Sequence, residues 1–106
     1  KFVGVYQALA TAPMVFIAVP PPLYKDQAYG MLQGIINTQY PAAIQRIAGT
    51  MGLPPPISMF EAFKAVCPNF VSLACPLISG TAPPHNLAHD DGCHPNDQGY
   101  NLIART

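Results

Sequence analysis

The chain has 106 residues; half of them are hydrophobic, only 9% are charged, and five basic residues balance five acidic ones. This length allows one small domain at most. No basic cluster is present, which argues against nucleic acid as a partner. The longest apolar run, residues 14–19, is far shorter than the ~20 residues that a membrane-spanning helix needs, so no membrane span is expected.

The first two segments predict a helix followed by a strand. Apolar side chains recur at helical spacing within residues 2–10. Residues 14–19 form a continuous, partly β-branched apolar run bounded by prolines, which is typical of a strand buried on both faces of a parallel sheet. A helix followed directly by such a strand indicates the α/β class.

Two runs of three prolines, residues 20–22 and 54–56, interrupt the chain. Proline fixes φ and lacks an N–H, so we interpret both runs as stiff connectors. The first leaves the carboxyl end of the predicted strand, where parallel sheets place their sites; Tyr24 and Tyr29 beyond it either line a groove or pack against the core. An alternative interpretation makes the runs polyproline ligands of partner domains, although their flanks carry no arginine.

The middle of the chain predicts a helix, a strand and a helical turn. Residues 38–51 have a helical pattern, with Thr38 as the expected N-cap and a glycine after the last turn. Residues 57–60 predict a second short strand, and residues 61–66 a helical turn. Two strands alone bury little surface, and the last helix stops after barely three turns. We therefore expect residues 1–106 to be the C-terminal portion of one larger domain.

The three cysteines are Cys67, Cys75 and Cys93, and the first two lie in a predicted irregular loop, residues 67–89. Their spacing is not that of a zinc site, and an odd number leaves one over. A bridge from Cys93 to Cys67 or Cys75 would staple the loop to the turn before the last helix, and would favour an extracellular location. Three free thiols are the alternative.

The strongest functional signal is the pair Asp91 and His94. Gly92 allows a tight turn between them, and Pro95 suits the first turn of a helix. The spacing predicts a loop that presents carboxylate and imidazole side by side at the start of the last helix. A neutral imidazole oriented by a carboxylate can take a proton from a hydroxyl nucleophile; the structural alternative is that Asp91 caps the turn and His94 lies on the surface.

The run DGCHPNDQGY at residues 91–100, with Leu102-Ile103-Ala104 after it, resembles the last sequence block of the SGNH (GDSL-type) esterases and lipases. The resemblance implies Asp91 as the orienting acid and His94 as the general base of a Ser-His-Asp triad. It further implies a three-layer α/β/α, flavodoxin-like fold with a parallel sheet, a small-molecule ester substrate such as an acetylated carbohydrate or acyl ester, and no metal or organic cofactor.

The chain departs from the family pattern at the nucleophile. It contains no Gly-Asp-Ser motif and no Gly-x-Asn-Asp motif, and its serines, Ser58, Ser72 and Ser79, do not follow Gly-Asp. We therefore expect the nucleophilic serine outside this chain and the isolated chain to be inactive. The alternative is a catalytically inactive or structural member of the same fold.

A metal-binding loop is the rival chemistry. Six possible ligands lie within ten residues: His85, His89, Asp90, Asp91, Cys93 and His94. The first two have the i, i+4 spacing of ligands on one helical face. The prolines before His85 disfavour a helix there, and the adjacent Cys93 and His94 fit poorly as ligands of one tetrahedral ion.

Overall fold

The computed structural model describes residues 2–71, 74–78 and 91–106. The helices and strands of this part are α1 (Phe2–Gln7), β1 (Ala18–Val19), α2 (Tyr40–Thr50), β2 (Ile57–Ser58), α3 (Met59–Val66) and α4 (Asp97–Arg105). A 3₁₀ turn, Ala28–Gly30, and a π-helix, Ile35–Gln39, lie between β1 and α2. The protein thus mixes helices and strands, as the α/β assignment predicts.

The two strands form a small parallel sheet. Ala18 pairs with Ile57, and Val19 pairs with Ser58. Parallel strands need a crossover connection, which is usually helical, and here it contains α2. The parallel pairing agrees with the sheet type that the sequence predicts.

The second strand is shorter than the predicted range 57–60 because a helix begins inside that range. The Ser58 hydroxyl accepts a hydrogen bond from the Glu61 backbone N–H at 3.2 Å, which makes Ser58 the N-cap of α3. The predicted helical turn at 61–66 is correspondingly a longer helix that starts at Met59.

The chain that leads into β1 has one exposed face, so the expectation that it is buried on both faces is wrong for the described structure. Met14 is 74% exposed and Phe16 is 52% exposed, whereas Val19 is 1% exposed. Successive side chains of an extended chain point to opposite sides. Only the side that carries Val19 is covered by other described residues.

Helical backbone runs continuously from residue 33 to residue 50, so the prediction of Thr38 as N-cap is wrong. Thr38 lies inside the π-helix, and its hydroxyl donates to the Gly34 carbonyl at 2.5 Å. Pro41 explains the wider turn, because a proline ring clashes with the carbonyl four residues earlier and a π-turn relieves that clash. Gly52, with φ of 63°, ends the helix as predicted.

The core is formed by α3 and the segments that pack on it. Its buried side chains are Tyr24, Phe63, Cys67, Cys75, Leu77 and Ile78. A disulfide joins Cys67 to Cys75 within this core, and Cys93 is a free cysteine. The predicted bridge from Cys93 to Cys67 or Cys75 is therefore wrong, because Cys67 and Cys75 are bonded to each other across a short loop.

Much apolar surface is left exposed. α1 is shorter than the predicted range 2–10 and contains no buried residue, with Phe2 78% and Val5 62% exposed. The Cα radius of gyration is 15.7 Å, against about 13 Å for a compact domain of about 100 residues.

Within the described ranges, no helix has the length and apolar character needed to cross a membrane.

Candidate active site

The turn before α4 is organised by one oxygen of Asp91. Its Oδ1 accepts the backbone N–H of Cys93 at 2.8 Å and that of His94 at 2.9 Å. Aspartate commonly forms this kind of turn, because its short side chain reaches backbone donors two and three residues ahead. The turn therefore fixes the carboxylate relative to the backbone of His94.

The second oxygen of Asp91 meets the imidazole. Asp91 Oδ2 lies 2.6 Å from His94 Nδ1, a distance typical of a short, charge-assisted hydrogen bond. The structure thus brings the two predicted site residues together in the predicted arrangement. The His94 side chain is 56% exposed, and Nε2 has no hydrogen-bond partner among the described residues. The described part of the chain therefore leaves that nitrogen open to a proton donor.

The environment of Asp91 keeps the carboxylate charged. Partial burial acts to raise its pKa, but hydrogen bonds from the His94 and Cys93 backbones, the His94 ring and the Tyr29 hydroxyl outweigh it and lower the pKa to about 2. Hydrogen bonds to the charged form of an acid always favour that form. Asp91 is therefore an anion throughout the neutral range, as an orienting carboxylate must be.

Gly92 allows this turn to approach the segment after β1. Its φ is 64°, and a Cβ at this position would lie 2.2 Å from Lys25 Cβ and 2.9 Å from Lys25 N. The Gly92 carbonyl accepts the Tyr24 N–H at 2.7 Å. Both the conformation and the close contact require glycine here.

Asn96 attaches the start of α4 to the core. Its Oδ1 accepts the N–H groups of Gln98 and Gly99, at 3.0 and 3.1 Å, and so caps the helix. Its Nδ2 donates to the carbonyls of Pro76 and Ile78, at 2.8 and 3.2 Å. One side chain therefore begins the helix and holds it against the segment at 76–78.

Gly99, in the first turns of α4, allows this helix to pack closely against the segment at 76–78. A Cβ there would lie 2.4 Å from the Leu77 carbonyl oxygen and 2.7 Å from Pro95 Cβ. The motif at residues 91–100 thus has a physical reason at several positions: a carboxylate and an imidazole that meet, an asparagine cap, and two glycines at close contacts.

The segment after β1 is held by two amide side chains. Asn37 Oδ1 accepts the Leu23 N–H at 2.7 Å, and Asn37 Nδ2 donates to the Leu23 carbonyl at 2.8 Å. Gln33 Nε2 donates to the same carbonyl and to that of Phe70, both at 2.8 Å. Because Tyr24 then bonds to Gly92, this network fixes the position of the turn with Asp91 and His94.

An apolar cleft of about 380 Å³ lies next to the turn. It is lined by the first proline run, by residues of α2 and α4 and their flanks, and by Cys93 and Pro95. His94 is not among the lining residues. Burial raises the pKa of the Cys93 thiol, as does the charge of Asp91, so Cys93 is a poor candidate for a thiolate nucleophile or metal ligand.

Tyr29 is the site residue that sequence reasoning left undecided. Its hydroxyl donates to Asp91 Oδ2 at 3.2 Å, and its ring meets the His94 ring edge-on, with centroids 5.3 Å apart. Tyr24, in contrast, is 2% exposed and belongs to the core. Tyr29 and Asp91 are 62 positions apart, and no spacing rule signals such a contact.

Of the remaining candidates, only Ser58 lies among the described residues. Ser58 is committed to capping α3. Ser72, Ser79, His85, His89 and Asp90 lie outside the described residues. Within the described ranges, no group of three or more His, Cys, Asp or Glu side chains is placed to hold a metal ion, and the metal-binding interpretation gains no support from Asp91, Cys93 and His94.

Comparison with protein-family models, with curated proteins and with solved structures finds no match to this chain.

Proposed function

We propose that this chain supplies the acid–base half of a carboxylic ester hydrolase of the SGNH type, with His94 as general base and Asp91 as orienting acid. The observation that carries the proposal is the 2.6 Å contact between Asp91 Oδ2 and His94 Nδ1. It fixes the Nδ1–H tautomer, so that the Nε2 lone pair is available. The exposed His94 ring and the low pKa of Asp91 support the same roles.

The mechanism follows from that tautomer. Nε2 takes the proton of a serine hydroxyl as its oxygen attacks the ester carbonyl, and Asp91 stabilises the imidazolium that forms. The imidazolium then returns the proton to the leaving alcohol, which leaves an acyl-serine. His94 next removes a proton from water, the acyl group is released as a carboxylic acid, and the serine regains its proton. No cofactor takes part.

The nucleophilic serine and the oxyanion donors belong, in this proposal, to residues outside the chain. The exposed apolar faces of α1 and of the approach to β1 support this placement, because large apolar areas normally meet another surface. The whole would be a three-layer α/β/α domain of which residues 1–106 are the C-terminal portion. The Cys67–Cys75 disulfide supports an oxidising compartment for it.

A fluorophosphonate probe, which labels activated serines covalently, tests the arrangement. The isolated chain should neither carry the label nor hydrolyse p-nitrophenyl acetate. The longer protein should carry one label, outside residues 1–106. A label on Ser58, Ser72 or Ser79 would show that the nucleophile lies within the chain, and an unlabelled longer protein would favour the catalytically inactive alternative.

Substitutions in the longer protein test the roles. His94→Ala should lower kcat by about 10⁴–10⁶-fold and Asp91→Asn by about 10⁴-fold, because the amide stabilises the wrong tautomer. Asp97→Asn is the matched control: Asp97 lies in the first turn of α4, whereas the carboxylate bonded to the imidazole is that of Asp91. Activity that survives His94→Ala would reject the proposal.

A further inference from the structure

Tyr29 has a backbone conformation that its burial does not explain. Its φ is 52° and its ψ is 30°, in the left-handed region, which L-residues other than glycine adopt only at an energetic cost. Its side chain is 70% exposed, so core packing does not offset that cost. Backbone strain of this kind concentrates at functional sites and is retained where the surrounding contacts require it.

Among the described residues, the side-chain hydrogen bond and the ring contact of Tyr29 both lead to the Asp91–His94 pair. Its hydroxyl donates to Asp91 Oδ2, the oxygen that also meets His94 Nδ1. Its ring stands at 82° to the His94 ring, the edge-to-face arrangement that aromatic rings prefer. Tyr29 thus touches both members of the pair from a different segment of the chain.

The turn that carries Tyr29 is itself anchored. The Gln33 N–H donates to Asp26 Oδ1 at 2.9 Å, and the Gly30 N–H donates to the Gln27 carbonyl at 3.0 Å. These bonds hold the turn on both sides of Tyr29. The hydroxyl therefore reaches Asp91 from a fixed base, although the two residues are distant in sequence.

We infer that Tyr29 is a positioning residue for the Asp91–His94 pair: its hydroxyl holds Asp91 Oδ2 in place, and its ring edge limits rotation of the imidazole. A role of Tyr29 in catalysis rests on the proposed function, whereas its positioning of Asp91 follows from the contacts alone. With one oxygen of Asp91 held by backbone donors and the other by Tyr29, the carboxylate has little freedom to turn away from Nδ1.

The test uses the isolated chain and compares Tyr29→Phe, which removes only the hydroxyl, with Tyr29→Leu, which also removes the ring. Tyr6→Phe is the matched control, since Tyr6 lies on α1 and its ring meets only Phe2 among the described aromatic residues. The measurements are the carboxyl ¹³C titration of Asp91 and the ring ¹⁵N shifts of His94, which report the tautomer.

Tyr29→Phe should raise the pKa of Asp91 from its low value by up to about one unit, since one donor to the charged form is lost. Tyr29→Leu should in addition shift the His94 ¹⁵N signals toward those of a freely rotating imidazole with mixed tautomers. Tyr6→Phe should leave both signals unchanged. An Asp91 titration identical in Tyr29→Phe and the unsubstituted chain would overturn the inference.

Activity separates this inference from the proposed function. In the longer protein, Tyr29→Phe should lower kcat roughly 3–30-fold with KM little changed, because it disturbs orientation of the base and not substrate binding. If the unsubstituted longer protein hydrolyses no ester, the proposed function fails, and the NMR measurements still decide whether Tyr29 positions Asp91. Full kcat in Tyr29→Phe would overturn a positioning role in catalysis.

Discussion

The Tyr24 N–H donates to the Gly92 carbonyl at 2.7 Å and so joins the segment after β1 to the turn that presents Asp91 and His94. This bond exists because Gly92 has no side chain to keep Lys25 away. The position of the candidate base is therefore set by residues almost 70 positions earlier in the chain as well as by its own turn.

Gly92→Ala should destabilise the chain more than Gly52→Ala does. Both glycines have φ near 63°, but a Cβ at Gly52 meets no atom within 4 Å, whereas one at Gly92 meets Lys25. Gly52→Ala should cost about 1 kcal/mol of unfolding free energy for its backbone conformation, and Gly92→Ala about 1–3 kcal/mol more for the contact. Urea unfolding monitored by circular dichroism measures both; equal losses would contradict the close approach.

Asn96→Ala should lower the unfolding free energy by about 2 kcal/mol. It removes the cap of α4 and leaves the carbonyls of Pro76 and Ile78 without that donor. Asn96→Asp retains a capping oxygen but places its other oxygen against the carbonyls of Pro76 and Ile78, so its cost measures the loss of those two bonds and the repulsion that replaces them. If Asn96→Asp were as stable as the unsubstituted chain, the bonds to the segment at 76–78 would contribute nothing; if it were no more stable than Asn96→Ala, the cap would contribute nothing.

Acid should weaken the fold between about pH 4 and pH 2. Asp91 has a pKa of about 2 in the folded chain against an ordinary 3.8, so the unfolded chain binds the proton first as the pH falls. The stability that depends on the Asp91 charge is complete above about pH 4 and is lost as the pH approaches 2. Urea midpoints of Asp91→Asn should depend less on pH in this window than those of the unsubstituted chain, and an equal dependence would contradict the contribution of the Asp91 charge.

Thiol mapping should find one reactive cysteine. Alkylation without reduction should label Cys93 alone, and a peptide pair linked through Cys67 and Cys75 should appear by mass spectrometry. Replacing Cys67 and Cys75 together by serine should lower the unfolding free energy by roughly 2–3 kcal/mol, as expected for a short loop. Cys93→Ser is the control and should cost less; three labelled thiols would contradict the pairing.

The site was predictable where its parts are close in sequence. Asp91 and His94 are three positions apart, and turn chemistry alone brings them together. The sequence left open whether Tyr24 and Tyr29 line a groove or pack against the core. The contact between Tyr29 and Asp91 could not be predicted, because it depends on how the segment after β1 folds back. That folding depends on Asn37 and Gln33, whose amide groups carry no distinctive sequence signal.

The fold was predictable in its class and less so in its boundaries. Thr38 has the residue type of an N-cap, but helical backbone already begins at residue 33, and the Thr38 hydroxyl donates to the Gly34 carbonyl inside that helix. Ser58 ends β2 early because its hydroxyl caps α3. The cysteine pairing was not deducible, since three cysteines allow three different bridges and spacing does not choose among them.

The exposed side chains of Met14 and Phe16 also determine how the isolated chain should behave in solution. These apolar side chains should promote aggregation of the isolated chain. Because its net charge is zero at pH 7, no net electrostatic repulsion opposes association there, and the chain should be least soluble near neutral pH. Met14→Glu and Phe16→Glu together should keep it monomeric at concentrations suited to NMR, and they leave the contacts of Asp91 and His94 intact.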